Sequence, residues 1–295
     1  MLRNWLLLVF MTGLACLCSV DAAEADKDLL VHYTFEEGDK EARPNGKVHD
    51  HSGRKNHGTL YGARYVKMRE GYALAFAGGK GFAKCTGHRS VNLGTSDFTV
   101  EFWMKLDSFS PGMIMAKKGE TPEARGWHMA YDNARKQIPF QASDGQRQED
   151  VSAPLADLDW HQVVVVRRRK TLTLCLDGEA AATKTRDLFG SGFSNDNVYL
   201  FLGRAIGNEF TTFHGKLDEV LIRKSALTVE EIASRYQIAE KNRPMSLLQH
   251  RLGTGGGLVL HYTFNQDHRG LAKDHSVFGH DGEIVKAQYV EELDG

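Results

Sequence analysis

Phe98-Thr99-Val100-Glu101-Phe102-Trp103-Met104-Lys105-Leu106 alternates along its whole length. Phe98, Val100, Phe102, Met104 and Leu106 share one face of an extended chain, and Thr99, Glu101, Trp103 and Lys105 the other. Such a period of two marks a strand with one face in a core. Downstream, Val163 to Val166 is apolar on both faces and reads as a central strand. Leu172, Leu174 and Leu176 alternate again, up to the turn dipeptide Asp177-Gly178. Tyr199 to Leu202 and Leu217 to Ile222 are two further strands. Turn residues recur about every eight to twelve positions, the spacing of a sandwich or barrel. The 30 glycines sit mostly between the apolar runs. Thr228-Val229-Glu230-Glu231 is a capping box that opens one helix, whose Ile232 and Tyr236, four apart, are expected to press on the sandwich.

Upstream, Leu29-Leu30-Val31-His32-Tyr33-Thr34-Phe35 returns as Leu258-Val259-Leu260-His261-Tyr262-Thr263-Phe264. Its turn returns as well: Asp50-His51-Ser52 and Asn56-His57-Gly58 correspond to Asp274-His275-Ser276 and His280-Asp281-Gly282. A repeat of strand and loop together marks the start of a second domain. Residues 24–238 are expected to form the complete unit, 239–256 a linker with Pro244 and Gly255-Gly256-Gly257, and 257–295 the truncated start of a second copy. Residues 1–23 read as a signal peptide, with Arg3, the apolar run Trp5 to Val20 and small residues at Ala22 and Ala23. Export to the cell surface, periplasm or medium follows, without membrane insertion after cleavage.

Apolar content of 41% and charged content of 25% are those of a soluble globular chain. A formal net charge of −1 lacks the basic surplus of a nucleic-acid binder. The basic run Arg167-Arg168-Arg169-Lys170 joins two apolar strands and reads as a solvated hairpin turn. Of the four cysteines, Cys85 and Cys175 survive signal cleavage. Alternation sends Cys175 outward and Cys85 inward, which argues for two free thiols.

Tyr33-Thr34-Phe35-Glu36, Asp50-His51-Ser52-Gly53, Asn56-His57-Gly58-Thr59-Leu60 and Ala73-Leu74-Ala75-Phe76 follow one another in order. Then come Phe98 to Trp103, Trp160-His161-Gln162-Val163, Leu174 to Gly178 and Gly215-Lys216-Leu217-Asp218-Glu219-Val220, with Ala226-Leu227-Thr228 behind. In that order these stretches resemble the laminin-G-like jellyroll domain of the concanavalin A-like lectin/glucanase superfamily. The resemblance implies an all-β, two-sheet antiparallel jellyroll sandwich with one short C-terminal helix. It also implies a structural calcium ion where the N-terminal segment, its turn and the last strand meet. Glu36 would give a carboxylate, Ser52 a backbone carbonyl, Asn56 a side-chain oxygen and Asp218 its carboxylate. The alternative is that Asp50, Ser52 and Asn56 are turn formers bonding their own backbone.

His32, His49, His51 and His57 crowd this turn without a zinc spacing and read as solvated loop residues. Glycosidases of the superfamily display paired carboxylates as Glu-x-Asp-x-(x)-Glu on one strand. No such strand occurs, and Asp218 and Glu219, being adjacent, are expected on opposite faces. No nucleophile elbow or phosphate loop is present, so a non-enzyme is expected. Two aromatic sets could serve a glycan: Trp127, His128 and Tyr131 with Asp132 and Asn133, and Phe210, Phe213 and His214. Core packing competes for both, and Trp160 reads as structural. The expected function is an exported, non-catalytic recognition or adhesion module for glycans or extracellular proteins. The rival is the N-terminal accessory part of a larger secreted enzyme, a glycoside hydrolase or sulfatase.

Overall fold

A computed structural model describes residues 26–41, 46–68, 71–79, 81–85, 89–119, 121, 124–190, 192–193, 195–204, 212–242, 271–272 and 282–283. The expected signal peptide, most of the linker and most of the second copy lie outside the described residues. The chain runs through β1 (Leu29–Tyr33), α1 (Gly38–Glu41), β2 (Lys47–Val48), β3 (Gly58–Tyr61), β4 (Arg64–Lys67) and β5 (Tyr72–Ala77). It continues with β6 (Phe82–Cys85), β7 (Phe98–Leu106), β8 (Gly112–Lys118), β9 (Gly126–Tyr131), β10 (Gln137–Ser143) and β11 (Gln148–Pro154). Then follow β12 (Trp160–Arg168), β13 (Thr171–Leu176), β14 (Glu179–Thr185), β15 (Leu200–Leu202), β16 (His214–Arg223) and α2 (Val229–Asn242).

Two eight-stranded sheets pack into a sandwich. The first has the order β14-β13-β12-β7-β16-β5-β4, with β1 also paired to β16, and the second the order β11-β10-β9-β8-β15-β6-β3-β2. The ladders of both are antiparallel. Inward residues of both sheets form one core, with Phe98, Val100, Phe102 and Met104 facing Trp127, Met129, Phe140 and Leu200. This is the expected all-β sandwich with one C-terminal helix, and β12 is central as its apolar faces require.

α2 roofs part of the outer face of the first sheet. Its capping box is closed: Thr228 Oγ1 accepts the Glu231 N–H at 3.2 Å and Glu231 Oε2 accepts the Thr228 N–H at 2.7 Å. Ile232 packs with Val164, Val166, Cys175 and Leu227. Tyr236 stacks on Trp103, with ring centroids 5.7 Å apart. Both expected helix contacts are therefore made. The helix runs to Asn242, past the point where the linker was expected to begin.

Cys85 lies in the inter-sheet core and Cys175 under α2, both buried and free. Asp177 and Gly178 hold positive φ (53° and 83°), the conformation of their two-residue hairpin turn. A side chain at Gly178 would also strike Tyr236.

Two sequence expectations need correction. Arg167 is buried rather than solvated: it faces the core, where its guanidinium donates to the carbonyls of Phe189, Gly94 and Ser96. It also lies over the rings of Phe98 and Phe193. Nor do Asp218 and Glu219 occupy opposite faces. A bulge in β16, with Glu219 at φ 48°, leaves both between the inward residues Leu217 and Val220, on the outer face.

Candidate functional site

The repeated loop first closes an edge. β1 pairs with β16 on one side, and the segment 49–57 covers its other side. Asp50 is buried and accepts four donors: the N–H groups of His32 (3.0 Å), Ser52 (3.0 Å) and Asn56 (2.8 Å), and Ser52 Oγ (2.8 Å). Asn56 Nδ2 donates to the Leu30 carbonyl at 2.8 Å, and the Ser52 hydroxyl, shared with Asp50, lies 3.2 Å from the same oxygen. Arg54 Nε reaches the Leu29 carbonyl at 2.7 Å. The unpaired edge of β1 is thus satisfied by side chains, which blocks further strand addition.

The four residues expected to hold calcium fall into two groups. Ser52 and Asn56 belong to this edge cap, and the Asn56 side-chain oxygen already accepts Ser90 Oγ at 2.5 Å. Glu36 and Asp218 lie where β1 gives way to β5 along β16. β16 pairs with β5 up to Leu217 and with β1 from Val220, and Glu36 Oε1 accepts the Tyr72 N–H at the start of β5, at 3.5 Å. The two carboxylates suit a hard cation, whereas Asn56 joins only by releasing Ser90. Among the described residues, no three His, Cys, Asp or Glu side chains gather in a metal-holding group. The loop histidines are engaged: His57 Nδ1 accepts the Asp50 N–H at 3.0 Å, and His32 Nε2 meets Glu219 at 3.0 Å.

Glu101, on the outer face of the first sheet, is committed to structure. Glu101 accepts Gln162 Nε2 through one oxygen and Arg235 through the other, each at 2.9 Å. Glu101, Trp103, Glu219, His32 and Arg235 line a cleft of about 440 Å3 beside α2. His161 bridges Asp177 at 2.8 Å and Asp157 at 2.7 Å. Burial lowers its pKa, but the two carboxylates outweigh burial and hold it above the ordinary histidine value.

The aromatics singled out in sequence are core residues. Trp127 stacks on Phe140 at 5.6 Å, Tyr131 donates to the Leu155 carbonyl and Phe213 packs on Phe76. His128, also buried, is pushed down to about 4 by desolvation and then by Lys118. Phe210 lies outside the described residues. A different group faces outward on the second sheet. Leu60, Ala83, Leu200 and Leu202 point into the core, so Tyr61, Phe82 and Phe201 point away from it. Tyr61 is 41% exposed and stacks on Phe82, directly opposite in register, at 4.8 Å and 13°. Phe201 lies 6.0 Å beyond Phe82, and Tyr199 is 6.4 Å from Phe201. Lys84 Nζ sits 3.8 Å over Tyr199 and the Arg204 guanidinium 4.5 Å over Phe82. Sequence reading passed over this group because its members come from separate strands, although Phe82-Ala83-Lys84-Cys85 alternates legibly.

An antiparallel two-sheet sandwich with this strand order is a jellyroll. Residues 78–233 match the profile of the laminin-G-like family of the concanavalin A-like lectin/glucanases superfamily. The chain belongs to that family. No curated protein gives a significant match. Among solved structures it is similar to the binding domain of Paraclostridial mosquitocidal protein 1, at a TM-score of 0.58 and 16% identity, over 72% of this chain and 52% of that one. It is similar to domain 4 of AbnA, an extracellular arabinanase from Geobacillus stearothermophilus solved with arabinotriose (TM-score 0.56, 15% identity, 70% and 97% covered). The botulinum neurotoxin DC binding domain, solved with rat synaptotagmin II, gives a TM-score of 0.56 at 13% identity, over 73% of this chain and 52% of that one. The chain thus spans about half the length of the toxin binding domains it resembles.

Proposed function

We propose that this is an exported, non-catalytic recognition module whose ligand is a glycan, bound by the aromatic face of the second sheet. The carrying observation is the outward group Tyr61, Phe82, Phe201 and Tyr199, flanked by Lys84 and Arg204. Tyr61, exposed and backed by Phe82, offers its ring to a sugar, and the adjacent cations offer donors to its hydroxyl or carboxyl oxygens. Helix α2 roofs part of the corresponding face of the first sheet, which leaves the second sheet's aromatic face the less covered of the two. The arabinanase domain supports the reading, since its structure holds arabinotriose.

A second reading is supported by the same relative, which is one domain of an enzyme. Here the jellyroll is the N-terminal accessory part of a secreted hydrolase or sulfatase whose catalysis lies beyond Gly295. In either case calcium is proposed as a structural ion held by the Glu36 and Asp218 carboxylates, with the Ser52 carbonyl and the Asn56 side-chain oxygen once that oxygen releases Ser90.

A glycan array on the full chain tests the proposal. Hits should weaken about tenfold, equivalent to about 1.4 kcal/mol, in Tyr61→Ala. A blank array, or hits indifferent to Tyr61, would reject the aromatic face and favour a protein ligand.

A further inference from the structure

The turn between β12 and β13 and the start of α2 enclose a cleft of about 780 Å3 on the outer face of the first sheet. That volume lies in the range of about 300–1,000 Å3 usual for ligand sites. Its floor is aliphatic, formed by Val166, Leu227 and Ile232 with Cys175, all buried. Its rim carries Arg168, Arg169 and Lys170, and Val229, 46% exposed, stands on the helix side. Thr171 and Thr173 add hydroxyls to the wall.

We propose that this cleft docks an acidic peptide segment of a protein partner. An aliphatic side chain of the segment enters the floor, and Asp or Glu carboxylates beside it meet Arg168, Arg169 and Lys170. The site is distinct from the aromatic face of the second sheet and does not depend on it.

Charge supports this occupant. Among the described residues, neither guanidinium of Arg168 and Arg169 pairs with a carboxylate; Arg168 reaches the Ala226 carbonyl at 3.3 Å. Asp97, the acidic residue in the cleft wall, is engaged by the Arg169 backbone N–H at 2.6 Å. Lys170 meets Asp187 at 2.7 Å in an exposed pair that an incoming carboxylate can replace. The lining decides between a peptide and a sugar: no lining residue is aromatic, so a saccharide has no ring to stack on. An aliphatic floor beside cations suits a chain that carries both apolar and acidic side chains. At the start of α2 the Thr228 and Glu231 amides are taken by the capping box, and the docking requires no helix amide.

Arg169 sits at φ 55° in the two-residue hairpin turn, where glycine is the undemanding choice.

The test uses the full chain and a fluorescent peptide, Gly-Asp-Glu-Leu-Glu-Asp-Gly, read by anisotropy. A Gly-Asn-Gln-Leu-Gln-Asn-Gly peptide and a sulfated oligosaccharide serve as comparators. Saturable binding of the acidic peptide, weakened by salt, is expected. The double variant Arg168→Ser, Arg169→Gly should weaken it about tenfold or more. Because glycine suits the turn, that variant should melt no lower than the parent, so lost binding cannot be ascribed to unfolding. Val229→Asp should weaken it as well, and Tyr61→Ala should leave it intact. The proposal is overturned if the acidic peptide binds no better than its amide analogue, or if the double variant binds it as the parent does. It is also overturned if the sulfated oligosaccharide binds and the peptide does not. A Tyr61→Ala variant that loses glycan hits while keeping peptide binding separates this site from the glycan face.

Discussion

Arg167 keeps its charge inside the sandwich, held by backbone carbonyls and aromatic faces. Three carbonyls accept from it and two aromatic faces lie beside it, while burial lowers its pKa to about 10, still protonated at neutral pH. The fork geometry of the guanidinium explains why arginine fills this position. Arg167→Ala would strand those carbonyls and open a void, at a cost of about 3 kcal/mol, measurable by urea denaturation. His161 makes a prediction in pH. Its folded pKa is raised, so the charged bridge to Asp157 and Asp177 stabilises fully below the unfolded value of about 6.5 and fades as pH rises through the folded value. His161→Asn should therefore cost about 1.5 kcal/mol at pH near 5.5 and less at pH near 8.5. Equal losses at both values would count against the bridge. Neither residue's role was legible locally. Arg167 continues a basic run that looks solvated, and of the partners of His161 one, Asp177, is fixed by how β12 meets the turn after β13.

Among the elements, β1 and its covering loop are the most tightly argued pair. The edge of β1 would be a template for strand addition, and Asp50, Ser52 and Asn56 answer its backbone groups. Asp50→Ala would leave three backbone N–H donors without their acceptor, costing about 3 kcal/mol. Light scattering at rising concentration should then show association, which Asp50→Asn should show less. The same local pattern recurs in the second copy. Leu271↔Glu283 and Ala272↔Gly282 pair in the register of Lys47↔Thr59 and Val48↔Gly58. Here the sequence was informative, because the residues that cap an edge lie close to it in the chain. The alternative offered by the sequence, that Ser52 and Asn56 serve the backbone, describes what their side chains do, but the backbone served is largely that of β1. α2 was legible too: the capping box and the four-residue spacing of Ile232 and Tyr236 are local signals. Its end was not: the helix continues to Asn242, with Ala239 packed against the cluster of Trp103, Trp160 and Tyr236.

At the scale of the whole molecule, the last strand β16 joins the beginning of the chain to its end. It pairs with β1, β5 and β7, so the N-terminal segment and the C-terminal strand close the sandwich together. An ion held by Glu36 and Asp218 would brace that closure. The expected result is a melting temperature lowered by chelator and restored by calcium through mass action, about 2.7 kcal/mol at a hundredfold excess over the dissociation constant. Glu36→Gln should abolish the shift. No response to millimolar calcium would remove the ion from the account.

The sequence by itself determined the sandwich, its central strand, its helix start and its family, because alternation, capping and turn dipeptides act over a few residues and survive in any context. It also placed Cys85 inward and Cys175 outward by parity alone. Only the tertiary structure decided which aromatics pack and which face outward. Trp127 and Tyr131 became core while Tyr61 and Phe82 met across a ladder, since strand partners distant in sequence set each face. It decided too that Asp218 and Glu219 share a face, because one extra residue in β16 shifts the parity on which that sequence reading depended.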